Sequence, residues 1–508
     1  MNASASQASG ARSVSLTELL EPWAMVSAAN ERQISGVQLD SRLVSDGDLF
    51  IALQGEAVNA IDYLSQIIEA GAVAVIVAAE SARPDQSEKR VLEAASVALI
   101  SIEALSVHAG EIVSRFYSDP SRSLKVVGVT GTDGKTSICH LLAQALNENR
   151  NNCGVIGTLG WGFTGALNDS GLTTPDAVTL QSALATFNDV GAGYVAMEVS
   201  SHALVQNRVS GIRFDVAVLT NLGRDHLDYH GDMKNYRAAK ELLFIQPELR
   251  AAVVNADDEF GIGLIERLTD LELTTYGTEE RGGNHVRFYD VVQRSEGLGF
   301  QLGYAGQSYN VQSQMIGRFN VVNLATTFAV LITLGLSPDL AAQSLQSLTP
   351  VPGRMEAIRL SNGAVIIVDY AHNPHALESV LMSVVDHVDG QLTVVFGCGG
   401  ERDQGKRPLM AGIAERYASH CIVTDDNPRG EDGDEIVRQI MTGFIKPASV
   451  TVERDRRSAI RAAVQSAQPG DLVIVAGKGH EDYQLIGDAR LAFSDSAVVT
   501  EVAAELVS

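Results

Sequence analysis

Short apolar runs, each closed by a polar or glycine-rich turn and followed by a helix-like stretch, recur along the chain. That alternation predicts an α/β fold built on parallel sheets. Residues 48–53 predict a strand, and residues 72–77 predict a buried one. A sharper pattern begins at Leu124: a strand over 124–129, a glycine-rich turn, then a helix from Lys135 to about Asn147. Residues 194–199 and 216–220 predict further strands with helix-like segments between them, whereas 286–311 looks more β-like. Beyond a Pro/Gly break at 349–353, strands are predicted at 364–368, 392–396, 420–424 and 472–476. Each is followed by a loop and a helix, which again describes an open α/β domain.

Ser118-Asp119-Pro120-Ser121 punctuates the chain like a linker. With the break at 349–353 it divides the chain into 1–120, 121–349 and 350–508. The length of 508 residues agrees, because single cores stop growing at about 250–300 residues. The Ser/Ala-rich first dozen residues are expected to be disordered. They lack a basic segment followed by an apolar one, so no signal peptide is expected. The longest apolar stretch, 70–79, is short of the roughly 20 residues a membrane helix needs. A cytoplasmic protein without membrane insertion is the expectation. The net charge of −24 argues against nucleic acid as a partner, since such a field repels polyanions. The four cysteines, Cys139, Cys153, Cys398 and Cys421, show no metal-site spacing and read as buried or incidental thiols.

The strongest chemical signal is Gly131-Thr132-Asp133-Gly134-Lys135-Thr136-Ser137, placed between a predicted strand and a predicted helix. Glycines let backbone N–H groups turn toward phosphate oxygens, and the helix N-terminus adds partial positive charge. Lys135 can bridge β- and γ-phosphates and Thr136 can ligate Mg²⁺. Val129 stands where the general phosphate loop has its first glycine, so this is a subtype and ordinary GTPase or kinase identity is disfavoured. Ligands of open parallel sheets gather beyond the carboxyl ends of strands. Glu198 and, within 221–228, His226 stand at such ends and are candidate Mg²⁺ ligands. On spacing alone, Lys240 reads as an exposed lysine of an amphipathic helix.

Seven segments occur in order: GTDGKTS, MEVSSH (197–202), NLGRDHLDYHG (221–231), GRFNVVN (317–323), PGRME (352–356), DYAHNP (369–374) and DDNPRGE (425–431). In them the chain resembles the Mur ligases of peptidoglycan synthesis, most closely the MurE type, over roughly residues 39–481. The resemblance implies three domains: an N-terminal α/β domain binding the UDP end of the substrate, a central ATPase domain with a parallel sheet, and a C-terminal Rossmann-like domain. The last would close over ATP and hold the incoming amino acid. The resemblance implies ATP as co-substrate with Mg²⁺, and assigns residues 131–137 to the ATP loop. Glu198 and His226 then match metal ligands. Lys240 matches a lysine that such enzymes carboxylate to hold a second Mg²⁺, which reverses its reading as a surface residue. Asn320, Arg354 and Asp369 match nucleotide contacts, Asp369 on the ribose. Thr173, Thr174, Ser200, Gln206 and Arg208 match contacts to the muramoyl-dipeptide, and Leu39 and Ser41 contacts near the uridine. Two places depart from the family pattern: the residue before Thr173 is Leu172 rather than Asn, and the loop 55–58 lacks the His/Gln version linked to uridine contacts.

Asn427-Pro428-Arg429 bears on which amino acid is added. The resemblance associates this pattern, with Asp426 before it, with enzymes that add meso-diaminopimelate to UDP-N-acetylmuramoyl-L-alanyl-D-glutamate. Diaminopimelate carries a second carboxylate that an arginine can grip bidentately and that lysine lacks. Arg402, Gly477 and Glu481 match the rest of that pocket, where Glu481 can pair with the distal ammonium. The expected reaction runs through an acyl phosphate, with His372 or a nearby carboxylate taking the amine proton. The expected oligomeric state is a monomer. A lysine-adding MurE and a folylpolyglutamate synthetase are the nearest rivals, and a phosphate-loop ATPase acting as a binding module is the rival of another class.

Overall fold

The computed structural model describes residues 12–53, 63–80, 86–294 and 297–506. The Ser/Ala-rich tail up to residue 11 and the loop 55–58 lie outside them. By contacts the chain forms two units, one ending at Thr274 and the other beginning at Thr275.

Beside a short antiparallel pair, Val14–Ser15 with Gln33–Ile34, the first unit carries two larger sheets. Gly36–Gln38, Asp48–Ala52, Ala74–Ala78 and Ala98–Ile102 form a parallel sheet in that order. The second of these strands is buried at every position, as expected of strands covered on both faces. The third starts two residues later than the apolar run predicts. Gly71, at φ +100, still belongs to the turn there, and a Cβ on it would press the Asp46 backbone at 2.8 Å.

The larger sheet is centred on Lys125–Thr130, flanked by Tyr194–Glu198 on one side and Val216–Leu219 on the other. Cys153–Gly157 lies beyond the first and Ala251–Asn255 beyond the second, all parallel. Leu184, Phe187, Val195, Met197 and Phe214 form part of its core. The register places Glu198 opposite Val129 and Leu219 opposite Thr130, so the strands end together at one carboxyl edge.

The stretch read as a linker is a packed corner of this unit. Ser118 and Asp119 take positive φ and Pro120–Arg122 forms a 3₁₀ turn. The buried Ser121 accepts the Arg213 N–H through its hydroxyl. Polar turn residues punctuate a sequence whether the turn is slack or pinned.

In the second unit His285–Arg294, Gly297–Tyr304 and Gln307–Ser313 pair antiparallel, as the β-rich pattern predicts. A six-stranded sheet follows in the order Glu356–Arg359, Val365–Asp369, Leu472–Ala476, Leu392–Phe396, His420–Val423, Thr451–Val452. All its pairs are parallel except the first. Helices cover both faces, over cores that include Leu381, Met410 and Ile440 on one side and Ile460, Val464 and Val499 on the other. The four cysteines are buried and unpaired.

Candidate active site

Gly131 and Gly134 hold φ of +149 and +84 between the strand Lys125–Thr130 and the helix Lys135–Glu148. A Cβ on Gly131 would lie 1.7 Å from Thr220 Oγ1. No side chain caps that helix, which leaves its first N–H groups for an anion. The loop is tied to the neighbouring strand end. Asn221 Oδ1 accepts from Asp133 N at 3.0 Å, and the Thr220 hydroxyl donates to Asp133 O at 2.6 Å. The Lys135 ammonium lies across the loop, donating to the Gly131 and Thr132 carbonyls at 2.9 and 2.8 Å. Thr136 is buried in the first helical turn and Ser137 follows it.

Lys240 overturns the spacing-based reading. It is 1% exposed, and its Nζ donates to Gly131 O at 2.7 Å, so two lysines meet on one loop carbonyl. Burial, reinforced by the charge of Lys135, pushes its pKa well below the ordinary lysine value. Its Nζ also stands 4.4 Å from the centre of the Tyr236 ring. Tyr236, Ala239, Lys240, Leu243 and Phe244 are all buried, and their spacing is that of an inward helical stripe. The lysine occupies a position of the apolar face.

Glu198 is buried at the end of its strand. Its Oε1 accepts from Thr158 N at 2.8 Å and its Oε2 from the Thr158 hydroxyl at 3.2 Å. Thr173 bonds the same Thr158 hydroxyl at 3.1 Å, and the Thr174 hydroxyl donates to Glu198 O at 2.8 Å. Ser200 N donates to Thr174 Oγ1, and the Ser200 hydroxyl caps the next helix. Arg208 reaches Thr174 O at 2.8 Å and Gln206 Oε1 at 2.9 Å. The predicted dipeptide contacts therefore form one network around Glu198. His226 is less fixed. It sits at φ +52, half exposed, 3.4 Å from Asp225 and 4.9 Å from the His202 ring centre. Leu39 and Ser41 lie just past the strand Gly36–Gln38, Leu39 packed on the core and Ser41 opening a 3₁₀ turn.

In the second unit, Asn320, in the first turn of the helix Phe319–Thr333, donates through Nδ2 to Ile316 O just before the helix and accepts through Oδ1 from Asn323. The Arg354 guanidinium lies 4.8 Å from the Tyr370 ring centre, and its buried Nε has no partner among the described residues. Asp369 is buried. Its oxygens accept from Met355 N and Ala371 N at 2.8 Å each, and burial raises its pKa.

A cavity of about 520 Å³ brings together Arg402, Asp426, Asn427, Arg429, Gly477 and Glu481, with His372, Lys406 and Tyr483 on its wall. Arg429 is held in the left-handed region at φ +53. Its N donates to Leu485 O at 3.0 Å, its carbonyl accepts from Gly487 N at 2.7 Å, and its Nη1 donates to Gly400 O at 2.8 Å. Glu481 Oε2 accepts from Asn427 Nδ2 at 2.9 Å and from Lys478 Nζ at 2.7 Å. Gly477, at φ +120, brings its backbone against Asp426, whose carboxylate would lie 2.6 Å from a Cβ there. The Pro428 carbonyl similarly fills the space where a Cβ on Gly400 would project. A fixed guanidinium and a fixed carboxylate lining one cavity suit a ligand end carrying both a carboxylate and an ammonium.

Family models match nearly the full length: the Mur ligase family catalytic domain over 33–117, the Mur ligase middle domain over 129–331 and the Mur ligase glutamate ligase domain over 353–479. A UDP-N-acetylmuramoyl-L-alanyl-D-glutamate--2,6-diaminopimelate ligase of Alkalilimnicola ehrlichii is 44% identical over 495 residues, covering 96% of this chain and 99% of that protein. The chain belongs to the Mur ligase family. A solved structure of a ligase bearing the same name superposes with a TM-score of 0.73 at 33% identity, covering 98% of this chain and 100% of that one. A folylpolyglutamate synthase of Mycobacterium tuberculosis shares the fold alone, with a TM-score of 0.59 at 19% identity over 79% of this chain and 94% of that one.

Within this Mur ligase, sequence reasoning missed Thr158, which holds both oxygens of Glu198, and Lys478, which lies under the cavity wall. A lone threonine after a strand gives no signal. Lys478 was visible between Gly477 and Glu481 but carried no chemistry that spacing alone could assign.

Proposed function

We infer that this Mur ligase joins meso-2,6-diaminopimelate to the γ-carboxylate of D-glutamate in UDP-N-acetylmuramoyl-L-alanyl-D-glutamate, at the expense of ATP. The observation that carries the amino-acid choice is that Arg429 and Glu481 line one cavity. A lysine end would leave the guanidinium without its carboxylate. The Glu198 network around Thr158, Thr173, Thr174 and Arg208 is the proposed seat of the dipeptide, and residues 131–137 that of the ATP phosphates. Asn320, Arg354 and Asp369 are the proposed nucleotide contacts of the second unit. We place domain limits at 1–120, 121–349 and 350–508. A cytoplasmic monomer is proposed, and no helix among the described residues is long and apolar enough to cross a membrane.

In the proposed reaction the glutamate carboxylate attacks the γ-phosphorus, giving an acyl phosphate and ADP. The diaminopimelate amine attacks the acyl carbon, its proton passes to His372 or a nearby carboxylate, and collapse releases phosphate and leaves the amide. Lys135 moves from the loop carbonyls onto phosphoryl oxygens, offsetting their charge.

Mg²⁺ fits the residues present. The hard oxygen donors of Thr136 and Glu198 are of the kind Mg²⁺ takes alongside phosphates and water. The Thr136 hydroxyl, the Glu198 carboxylate and His226 are the protein groups that would hold one ion, and Lys240, once carboxylated, would hold a second. Bound there, it would neutralise charge on the phosphoryl oxygens. The depressed Lys240 pKa supplies the free amine that CO₂ needs: the nitrogen lone pair forms the N–C bond, one proton leaves, and a carbamate results.

The test is phosphate release and product mass with ATP, Mg²⁺ and the UDP-dipeptide, comparing meso-diaminopimelate with L-lysine. Wild type is expected to add diaminopimelate alone, and Arg429→Ala to lose that addition. Equal addition of lysine by wild type would remove Arg429 as selector and leave only the ligase class.

A further inference from the structure

Lys478 is a fully buried lysine directly behind the amino-acid cavity. Its Nζ donates to Glu481 Oε2 at 2.7 Å and to Asn427 Oδ1 at 3.1 Å, and stands 5.4 Å from the Tyr483 ring centre. Asn427 Oδ1 also accepts from Leu485 N at 2.9 Å. With its oxygen taken by those two donors, the amide must turn its Nδ2 toward Glu481, where it donates at 2.9 Å. Glu481 Oε2 is thus held twice from one side, and no hydrogen bond among the described residues falls on its Oε1.

A carboxylate on a flexible stem pays rotamer entropy to meet a ligand ammonium. One already fixed by a buried cation and an amide does not pay it on binding. We propose that Lys478 is a positioning residue for the incoming amino acid, setting the Glu481 carboxylate, directly and through the Asn427 amide, to receive the ligand's ammonium. This rests on the functional reading above, and it adds a residue that touches no substrate but acts through one that does.

The experiment is steady-state kinetics of the full-length enzyme with Lys478→Met, Lys478→Arg, Glu481→Gln and the Met/Gln double variant, varying diaminopimelate and ATP separately. Losing a charge-assisted bond to Glu481 is expected to raise KM for diaminopimelate roughly 10- to 100-fold. KM for ATP and kcat should stay within about twofold, the spread left to a site whose other contacts are intact. Lys478→Arg keeps the charge and should recover part of the loss. In the Glu481→Gln background Lys478→Met should add little, because the residue it positions is already altered. Full additivity of the two substitutions, or an equal fall in kcat and rise in both KM values, would overturn the proposal and leave Lys478 a fold-stabilising residue. Failure of the functional reading shows elsewhere, as wild type that forms no diaminopimelate product.

Discussion

Replacing Asp495 with alanine leaves a guanidinium stranded inside the second unit. Arg456 and Asp495 are both 0% exposed and meet through two bonds of 2.7 Å, Nε to Oδ1 and Nη2 to Oδ2. The same guanidinium donates to Ala476 O at 3.0 Å and Asp425 O at 3.3 Å, tying the ends of the strands that carry Gly477 and Asp426. Removing one partner of such a buried pair costs about 3–5 kcal/mol, because the other charge stays desolvated and unpaired. For units of roughly 150–250 residues each kcal/mol moves Tm by about 2–4 °C, so the unit's transition should fall by about 6–20 °C. Calorimetry is the suitable assay. Both tryptophans, Trp23 and Trp161, belong to the first unit, so their fluorescence is blind to this transition. The combined change Arg456→Met with Asp495→Leu should recover most of the loss, since a well-packed apolar pair avoids the desolvation cost. A Tm shift of Asp495→Ala below about 2 °C, or a double variant no better than the single one, would refute this assignment of the pair's role.

Other outcomes follow from the two sites. Gly131→Ala places a Cβ 1.7 Å from Thr220 Oγ1 at a φ of +149. Backbone strain of about 1–3 kcal/mol plus the clash should abolish ATP turnover, read as phosphate release, while the second unit's calorimetric transition stays unchanged. With ¹³C-bicarbonate, the wild-type chain should show a carbamate resonance by NMR that is absent in Lys240→Arg, and activity should rise with bicarbonate only in wild type. His480 is pushed down to about 4 from 6.5, mainly by burial and then by the charge of Arg354. Between those values the unfolded chain binds a proton that the folded one does not, so stability rises with pH from about 4 to 6.5 and falls on acidification. Urea unfolding midpoints across that window should flatten in His480→Gln.

Strand positions were legible because strands buried on both faces are short continuous apolar runs. Leu392–Phe396 and Leu472–Ala476 fall where the pattern puts them. The turn at Gly131 and Gly134 was legible for a related reason: its backbone demands glycines, and glycines are visible. Lys240 was misread because its charge outweighed its place in the stripe Tyr236, Ala239, Leu243, Phe244. The pinned corner at Ser118–Ser121 was hidden because turn chemistry is the same in slack and packed turns. Long-range pairs such as Arg456 with Asp495, or Thr158 with Glu198, leave no local periodicity at all.

The left-handed backbone of Arg429 has a consequence for protein engineering. Its conformation is clamped from both sides by Leu485 and Gly487, on and just after the strand Tyr483–Ile486. Arg429 and its clamp are far apart in the chain, so a graft of Asp426–Arg429 alone into a foreign ligase would transplant the guanidinium without the geometry that aims it. A functional transplant has to carry the hairpin Tyr483–Ala492 with it. Recombination that breaks the chain between the two would separate the guanidinium from the backbone that holds it.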